Sequence, residues 1–409
     1  MCVRLSGLRR AQAHFAHHRP EPVPLPASPR LLADVEACVD VLIDRVGRDL
    51  RVGLPLGLGK PVELVNALYA RAKSDPSIQL TVLTALSLEQ PVAGSKLEAA
   101  FLNPFLARVF AGVPELEYAK DVSAKRLPPN VRVVEFFFRP GSRLSNAEAQ
   151  RDYISTNYTF AARDVFAQGC NVVMQAVARR ETADGTRYSL SCNPDTGPEL
   201  VGLLRAAEAR GERKIAVLGV VNQQLPYMAH DAEVGPELFD VLVEHPRYSS
   251  ALFSTPKTPV ATPDYAIGLH ASALIRDGGT LQIGIGSLGD AVVHALLLRQ
   301  QDNARYVATL DALGARQRQG ALIDAIGGVG VFDHGLYGAT EMFVDGLWHL
   351  MRGGILKRRV YGFWALQQLL NEGGCDAQRL APETLDGFVR LGVRVIRGQD
   401  FETLQHHGF

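Results

Sequence analysis

Two stretches of this sequence combine residue types suited to group transfer. In GLYGATEMFVDG, Glu341 follows Gly335, Gly338 and Thr340 and opens a helical pattern of Met342, Leu347, Leu350 and Met351, with Asp345 one turn further on the same face. A carboxylate on a glycine-rich approach is open to a bulky electrophile such as a thioester, and when desolvated it can serve as a covalent nucleophile. An acid in a first helical turn also complements the helix macrodipole, which is a purely structural role. Residue physics alone favours the structural role.

In GGTLQIGIGSLGDAVV an apolar strand runs into Gly284, Gly286 and Gly289 and directly into a helix. Glycines at such a turn let backbone N–H groups and the helix N-terminus approach a phosphate closely. Three readings fit. The turn binds the phosphates of an acyl-CoA; or it is a dinucleotide fingerprint of an NAD-dependent oxidoreductase, with Asp311 at the end of the next strand as the ribose-binding acid; or it only packs a strand against a helix. A third constellation pairs the loop of Gly53, Gly57, Gly59 and Lys60 with the strand end carrying Ser87 and Glu89, where α/β proteins place ligands. The cluster Lys357, Arg358 and Arg359 could meet phosphates or cap a helix C-terminus.

The elements that must position these residues alternate. Apolar runs at about 50–54, 79–86, 131–138, 171–177 and 214–221 are separated by helical patterns, the first expected over 29–46 behind Ser28 as its cap. Further strands are expected at 280–285, 304–310 and 392–398. This rhythm predicts an α/β fold of two similar domains, each a mainly parallel sheet flanked by helices. The expected boundaries are an extended or disordered tail at 1–27, a first domain at 28–213 and a second at 214–409.

Composition narrows the function classes. The 409 residues include 43 Lys plus Arg and 43 Asp plus Glu, a net charge of zero that gives no global field to gather nucleic acid or anionic lipid. No apolar run approaches the ~18 residues of a membrane span. The five cysteines are scattered without CxxC or His pairing, so no metal site or disulfide framework is expected and a reducing cytoplasm fits. No G-x-S-x-G elbow marks a serine hydrolase.

With these motifs in hand, the sequence resembles the acetyl-CoA hydrolase/transferase family, a branch of the glutamate-dependent CoA-transferases, over about 50–360. The resemblance rests on GLPLGLGKPVELVNAL, LTALSLEQP, VVNQQLP, HASALIRDGGTLQIGIGSLGDAV, GATEMFVDG and GGILKRR. It implies that Glu341 attacks an acyl-CoA thioester, and that Gly284, Ile285, Gly286, Ser287 and Leu288 form the CoA-binding loop. Asn222 resembles a pocket residue of the first domain. Coenzyme A is then substrate and product, with no permanently bound cofactor, and a small carboxylic acid or water is the acceptor. The family's later glycine-rich loop has no counterpart after Glu341, so the resemblance implies an incomplete second domain. Loss of one oxyanion donor typically costs about 10²- to 10³-fold in rate. The expected assemblies are a homo-oligomer or a pair with a complementing subunit; a catalytically incomplete CoA-binding fragment is the remaining alternative.

Overall fold

The computed structural model describes residues 28–183, 185–253, 259–340, 343–375, 381–396, 398, 400 and 404. Two compact units divide between positions 255 and 256. Strands of the first unit are β1 (Arg30–Leu32), β2 (Asp49–Gly53), β3 (Gln79–Thr84), β4 (Val131–Glu135), β5 (Val172–Thr182), β6 (Gly185–Ser189), β7 (Ala216–Val221), β8 (Glu233–Val234) and β9 (Val241–Val243). Its helices are α1 (Val35–Val46), α2 (Val62–Ser74), α3 (Lys96–Val109), α4 (Glu117–Ser123), α5 (Ala147–Arg151), α6 (Ala161–Ala167) and α7 (Gly197–Ala209).

The main path of the sheet is β1-β9-β7-β5-β2-β3-β4, all pairs parallel, with β6 and β8 added antiparallel beyond β5. Both faces are covered, which explains the near-continuous apolar runs of the central strands. Val172 and Met174 join one cluster with α1 and α2, while Val173 and Val177 join another with α6 and α7. Ala216, Leu218 and Val220 divide from Val217 and Val221 in the same way, as a side-chain period of two requires. Emptying one such site, for example Leu218→Ala, costs about 2–5 kcal/mol. The chain leaves β2 outward through β3 and β4, then restarts at β5 beside β2 and runs the other way through β7 and β9. That reversal opens a crevice at the carboxyl ends of β2 and β5, where ligands of open α/β sheets bind.

The second unit contains β10 (Thr280–Gln282) and β11 (Tyr337–Ala339), a parallel pair, with α8 (Thr262–Ala273), α9 (Ser287–Gln301), α10 (Asn303–Ala312), α11 (Ala315–Ile326), α12 (Asp345–Arg352), α13 (Trp364–Asn371) and α14 (Pro382–Arg390). Helices α8 and α9 approach closely at Gly268, where a Cβ would stand 2.7 Å from the Ala291 carbonyl. Ile283, Val293, Leu296, Phe332, Leu336, Leu350 and Ile355 form the core beneath the strand pair.

Several sequence expectations need correction. The first unit does not end at 213: β7, expected to open the second domain, pairs with β5 and β9 in the first sheet. The first helix starts at Val35 because Asp34, not Ser28, caps it by accepting from the Glu36 and Ala37 amides. Residues 304–310 are helical, capped by Asp302, and bury Tyr306 and Leu310 four positions apart. A short apolar run cannot distinguish that pattern from a strand. No strand forms over the described residues 391–396; Val393 and Ile396 cover a helical cluster around Leu369 and Phe388 instead. Among the described residues the second unit therefore holds one two-stranded sheet, not a second copy of the first.

Candidate active site

The strand pair of the second unit brings the two chemistry-bearing stretches side by side. Thr280 lies opposite Tyr337 and Gln282 opposite Ala339. Parallel strands end at the same edge, so β10 enters the glycine turn where β11 leads towards Glu341. Beyond the last ladder pair, the Ile283 amide donates to the Ala339 carbonyl at 3.1 Å, and the Thr340 hydroxyl donates to the Ile283 carbonyl at 3.0 Å. Glu341 itself lies outside the described residues.

At the other end of the pair, Asp277 fixes the register. Its carboxylate accepts backbone N–H bonds from Gly278 (3.0 Å), Asp333 (2.9 Å), His334 (2.9 Å) and Gly335 (2.8 Å), tying the approach to β10 to the approach to β11. Burial pushes this carboxyl up, but the His334, Gly335, Asp333 and Gly278 donors outweigh it and hold the group below its ordinary value. Behind the turn, buried Arg299 donates to the carbonyls of Gly330, Ser272 and Ile275 and lies over the Phe332 ring. The guanidinium thereby joins the end of α8 to the loop before β11.

The turn is an open glycine turn leading straight into a helix. Gly286 caps α9 with φ 143° and ψ 170°, a conformation essentially confined to glycine. A Cβ on Gly289 would stand 2.5 Å from the Gly284 carbonyl, whereas Gly284 and Gly286 have open space where a side chain would be. Ile285 and Leu288 are exposed at the rim, and Ser287 is half-buried as the first residue of α9. The opening N–H groups of a helix lack intrahelical acceptors, so a phosphate can be received here.

The dinucleotide reading loses its second half. Asp311 does not end a strand; it stands exposed near the end of α10 and pairs with Arg316 at 3.3 Å. The basic cluster is also displaced from the turn: Arg358 reaches Thr280 at the start of β10 (3.4 Å) and Asn371 (3.2 Å).

Asn222 belongs to the first unit, just after β7. Its side chain is buried, donating to the Ser250 carbonyl (3.1 Å) and accepting from the Gln224 amide (2.9 Å), and it lines a cleft with Lys60, Leu88, Glu89, Phe110 and Phe253. The third sequence constellation is assembled along this edge. Lys60 donates to the Ala85 carbonyl at 2.7 Å, Ser87 donates its amide to Glu135 at 3.1 Å, and Glu89 accepts from Ser123 at 2.8 Å. Beneath the loop, Asp195 accepts from the Leu56 amide (2.8 Å) and Asn193 from the Leu58 amide (3.1 Å). Burial raises both the Asp195 and Glu135 carboxyls. Sequence reading missed Asp195, Asn193 and Asp277, since the partners that give them their roles, the Leu56, Leu58 and 333–335 amides, are distant in sequence.

Among the described residues no cluster of three or more His, Cys, Asp or Glu is placed to hold a metal ion, and no helix is long and apolar enough to cross a membrane.

Neither a protein-family model nor a curated protein sequence matches this chain. Solved structures do. RipA from Yersinia pestis is similar at TM-score 0.49 and 18% identity, over 82% of this chain and 61% of RipA. A point variant of RipA is similar at TM-score 0.50 and 18% identity, over 82% of this chain and 60% of the variant. A 4-hydroxybutyrate CoA-transferase from Porphyromonas gingivalis is similar at TM-score 0.42 and 18% identity, over 80% of this chain and 57% of that one. The chain thus spans about three fifths of the length of the structures it matches. The mainly parallel sheet flanked by helices makes this an α/β fold, one shared with the RipA point variant.

Proposed function

We propose that this protein is an acyl-CoA enzyme, a CoA-transferase or hydrolase acting through Glu341, with acetyl-CoA the first substrate to test. The observation that carries the reading is the parallel pairing of β10 with β11, which sets the glycine turn beside the residue that precedes Glu341. In this reading the turn from Gly284 to Leu288 receives a phosphate of coenzyme A, and Asn222 lines a substrate pocket in the first unit. Coenzyme A is substrate and product, and the acceptor is water or a small carboxylic acid.

The proposed chemistry balances as two acyl exchanges. A Glu341 carboxylate oxygen attacks the thioester carbon, the carbon–sulfur bond breaks, and CoA thiolate leaves an acyl-glutamyl anhydride. Return of the thiolate to the glutamyl carbonyl expels the acyl group as its carboxylate and leaves a glutamyl-CoA thioester, which a second carboxylate resolves in reverse order. In hydrolysis, water attacks the anhydride, yielding the free acid and regenerating the Glu341 carboxylate. Division into two steps lowers each barrier, and the acyl oxyanion requires hydrogen-bond donors in place.

The test is intact-protein mass spectrometry after incubation with acetyl-CoA and borohydride, with Glu341→Gln as control. A mass change corresponding to reduction of one glutamyl thioester, absent from the control, is expected. No change, with CoA binding still measurable by calorimetry, would leave a CoA-binding protein without turnover; loss of both sinks the proposal.

A further inference from the structure

We infer that the cleft of the first unit binds a monocarboxylic acid with an apolar tail, its carboxylate held by Lys60 and its tail lying against Phe110 and Phe253. The site is a property of the first unit and stands whether or not Glu341 is the nucleophile.

The cleft opens at the carboxyl edge of the sheet, beside the crevice formed where the chain reverses direction. Its walls are chiefly apolar, including Leu88, Leu252 and the Phe110 and Phe253 rings, stacked at 6.4 Å and 15°. Of the polar groups that reach it, the Asn222 amide is engaged at both ends, and Glu89 accepts from Ser123 with Arg143 at 3.6 Å. Lys60 differs. It is 5% exposed and lines the cleft, yet its ammonium donates only to the Ala85 carbonyl, and among the described residues no carboxylate comes within ion-pair distance. Asp195 and Glu135 act on it only through space. An ammonium carries three donors, and a buried charge without a partner is costly unless a ligand completes it.

The ligand should therefore be an anion, and its charge is limited. Glu89 and Glu115 line the same cleft, offset by Arg143 and Lys120, while Asp195 and Glu135 lie near the Lys60 amine, so little positive charge is left over and a monoanion is favoured over a phosphate dianion. The phenyl rings and leucines require an apolar remainder. Each methylene buried there adds about fourfold to affinity, and the charged hydrogen bond adds about 10- to 100-fold.

Hexanoate, acetate, 1-hexanol and inorganic phosphate, each titrated calorimetrically into the full chain without acyl-CoA, provide the test. Hexanoate is expected to bind at least tenfold more tightly than acetate, 1-hexanol or phosphate. Lys60→Met should weaken hexanoate at least tenfold and leave 1-hexanol unchanged, Phe253→Ser should reduce hexanoate more than acetate, and Glu341→Gln should bind hexanoate as the parent does. Equal binding of 1-hexanol and hexanoate by the unaltered protein overturns the inference without reliance on any variant. So does phosphate binding as tight as hexanoate, or an undiminished hexanoate affinity in folded Lys60→Met.

Discussion

The Thr340 hydroxyl donates to the Ile283 carbonyl at 3.0 Å, fastening the residue before Glu341 to the last residue before the glycine turn. These positions are far apart in sequence, yet one hydrogen bond and one parallel ladder make them neighbours. The proposed nucleophile and the proposed phosphate cradle therefore depend on the same short strand pair.

Removing that bond tests the dependence. Thr340→Val keeps the shape and deletes the donor, so stability should fall by only about 1 kcal/mol. The rate at which acetyl-CoA labels Glu341 should fall about tenfold, measured by quenched mass spectrometry, with CoA affinity little altered. A variant that labels at the original rate removes Thr340 from the positioning of the nucleophile.

The turn glycines should differ in a defined order. Gly286→Ala places a Cβ in open space but on a backbone at φ 143°, costing about 1–3 kcal/mol through conformation alone. Gly289→Ala forces the Gly284 carbonyl to move from 2.5 Å and should deform the turn. Gly284→Ala meets no atom and should stay within about 0.5 kcal/mol of the parent. Thermal unfolding and CoA titration of the three variants check the order.

Asp277 carries a pH prediction. Its carboxyl is held below the ordinary 3.8, so it contributes stability above the unfolded value that is lost as pH falls through the folded one. Asp277→Asn replaces a fourfold acceptor by an amide with one acceptor oxygen, and should cost the second unit about 2–3 kcal/mol at pH 7. The difference between variant and parent should narrow below pH ~4, as followed by urea unfolding monitored at Trp348 and Trp364, both of which belong to that unit.

Lys60 also makes stability rise with pH, but as a penalty relieved and not as a contribution gained. Burial draws its amine from 10.5 down to about 8, against the opposing pull of Asp195 and Glu135. The unfolded chain then binds the extra proton between those values, so stability rises with pH across that window and the penalty is fully present below it. Lys60→Met should be more stable than the parent at pH 7 by about 2–3 kcal/mol, with the gain shrinking towards pH 10. Denaturant titrations at pH 7 and pH 9.5 decide it; an equal or lower stability at pH 7 contradicts a buried, unpaired ammonium.

Sequence alone determined what depends on local order. The apolar runs at 79–86, 131–138 and 214–221 became β3, β4 and β7, because a strand buried on both faces must be apolar throughout. The strand–glycine–helix order at 280–289 was legible because glycine marks backbone that other residues avoid. Tertiary structure decided the rest. Whether 304–310 would be strand or helix turned on Tyr306 and Leu310 finding a buried surface together, and a sequence does not display that surface. Assignment of β7 to the first unit required its partners β5 and β9. Asp277, Asp195 and the burial of Lys60 were hidden for the same reason: what a charged side chain does is set by the backbone groups and acids around it, and here those come from distant segments of the chain.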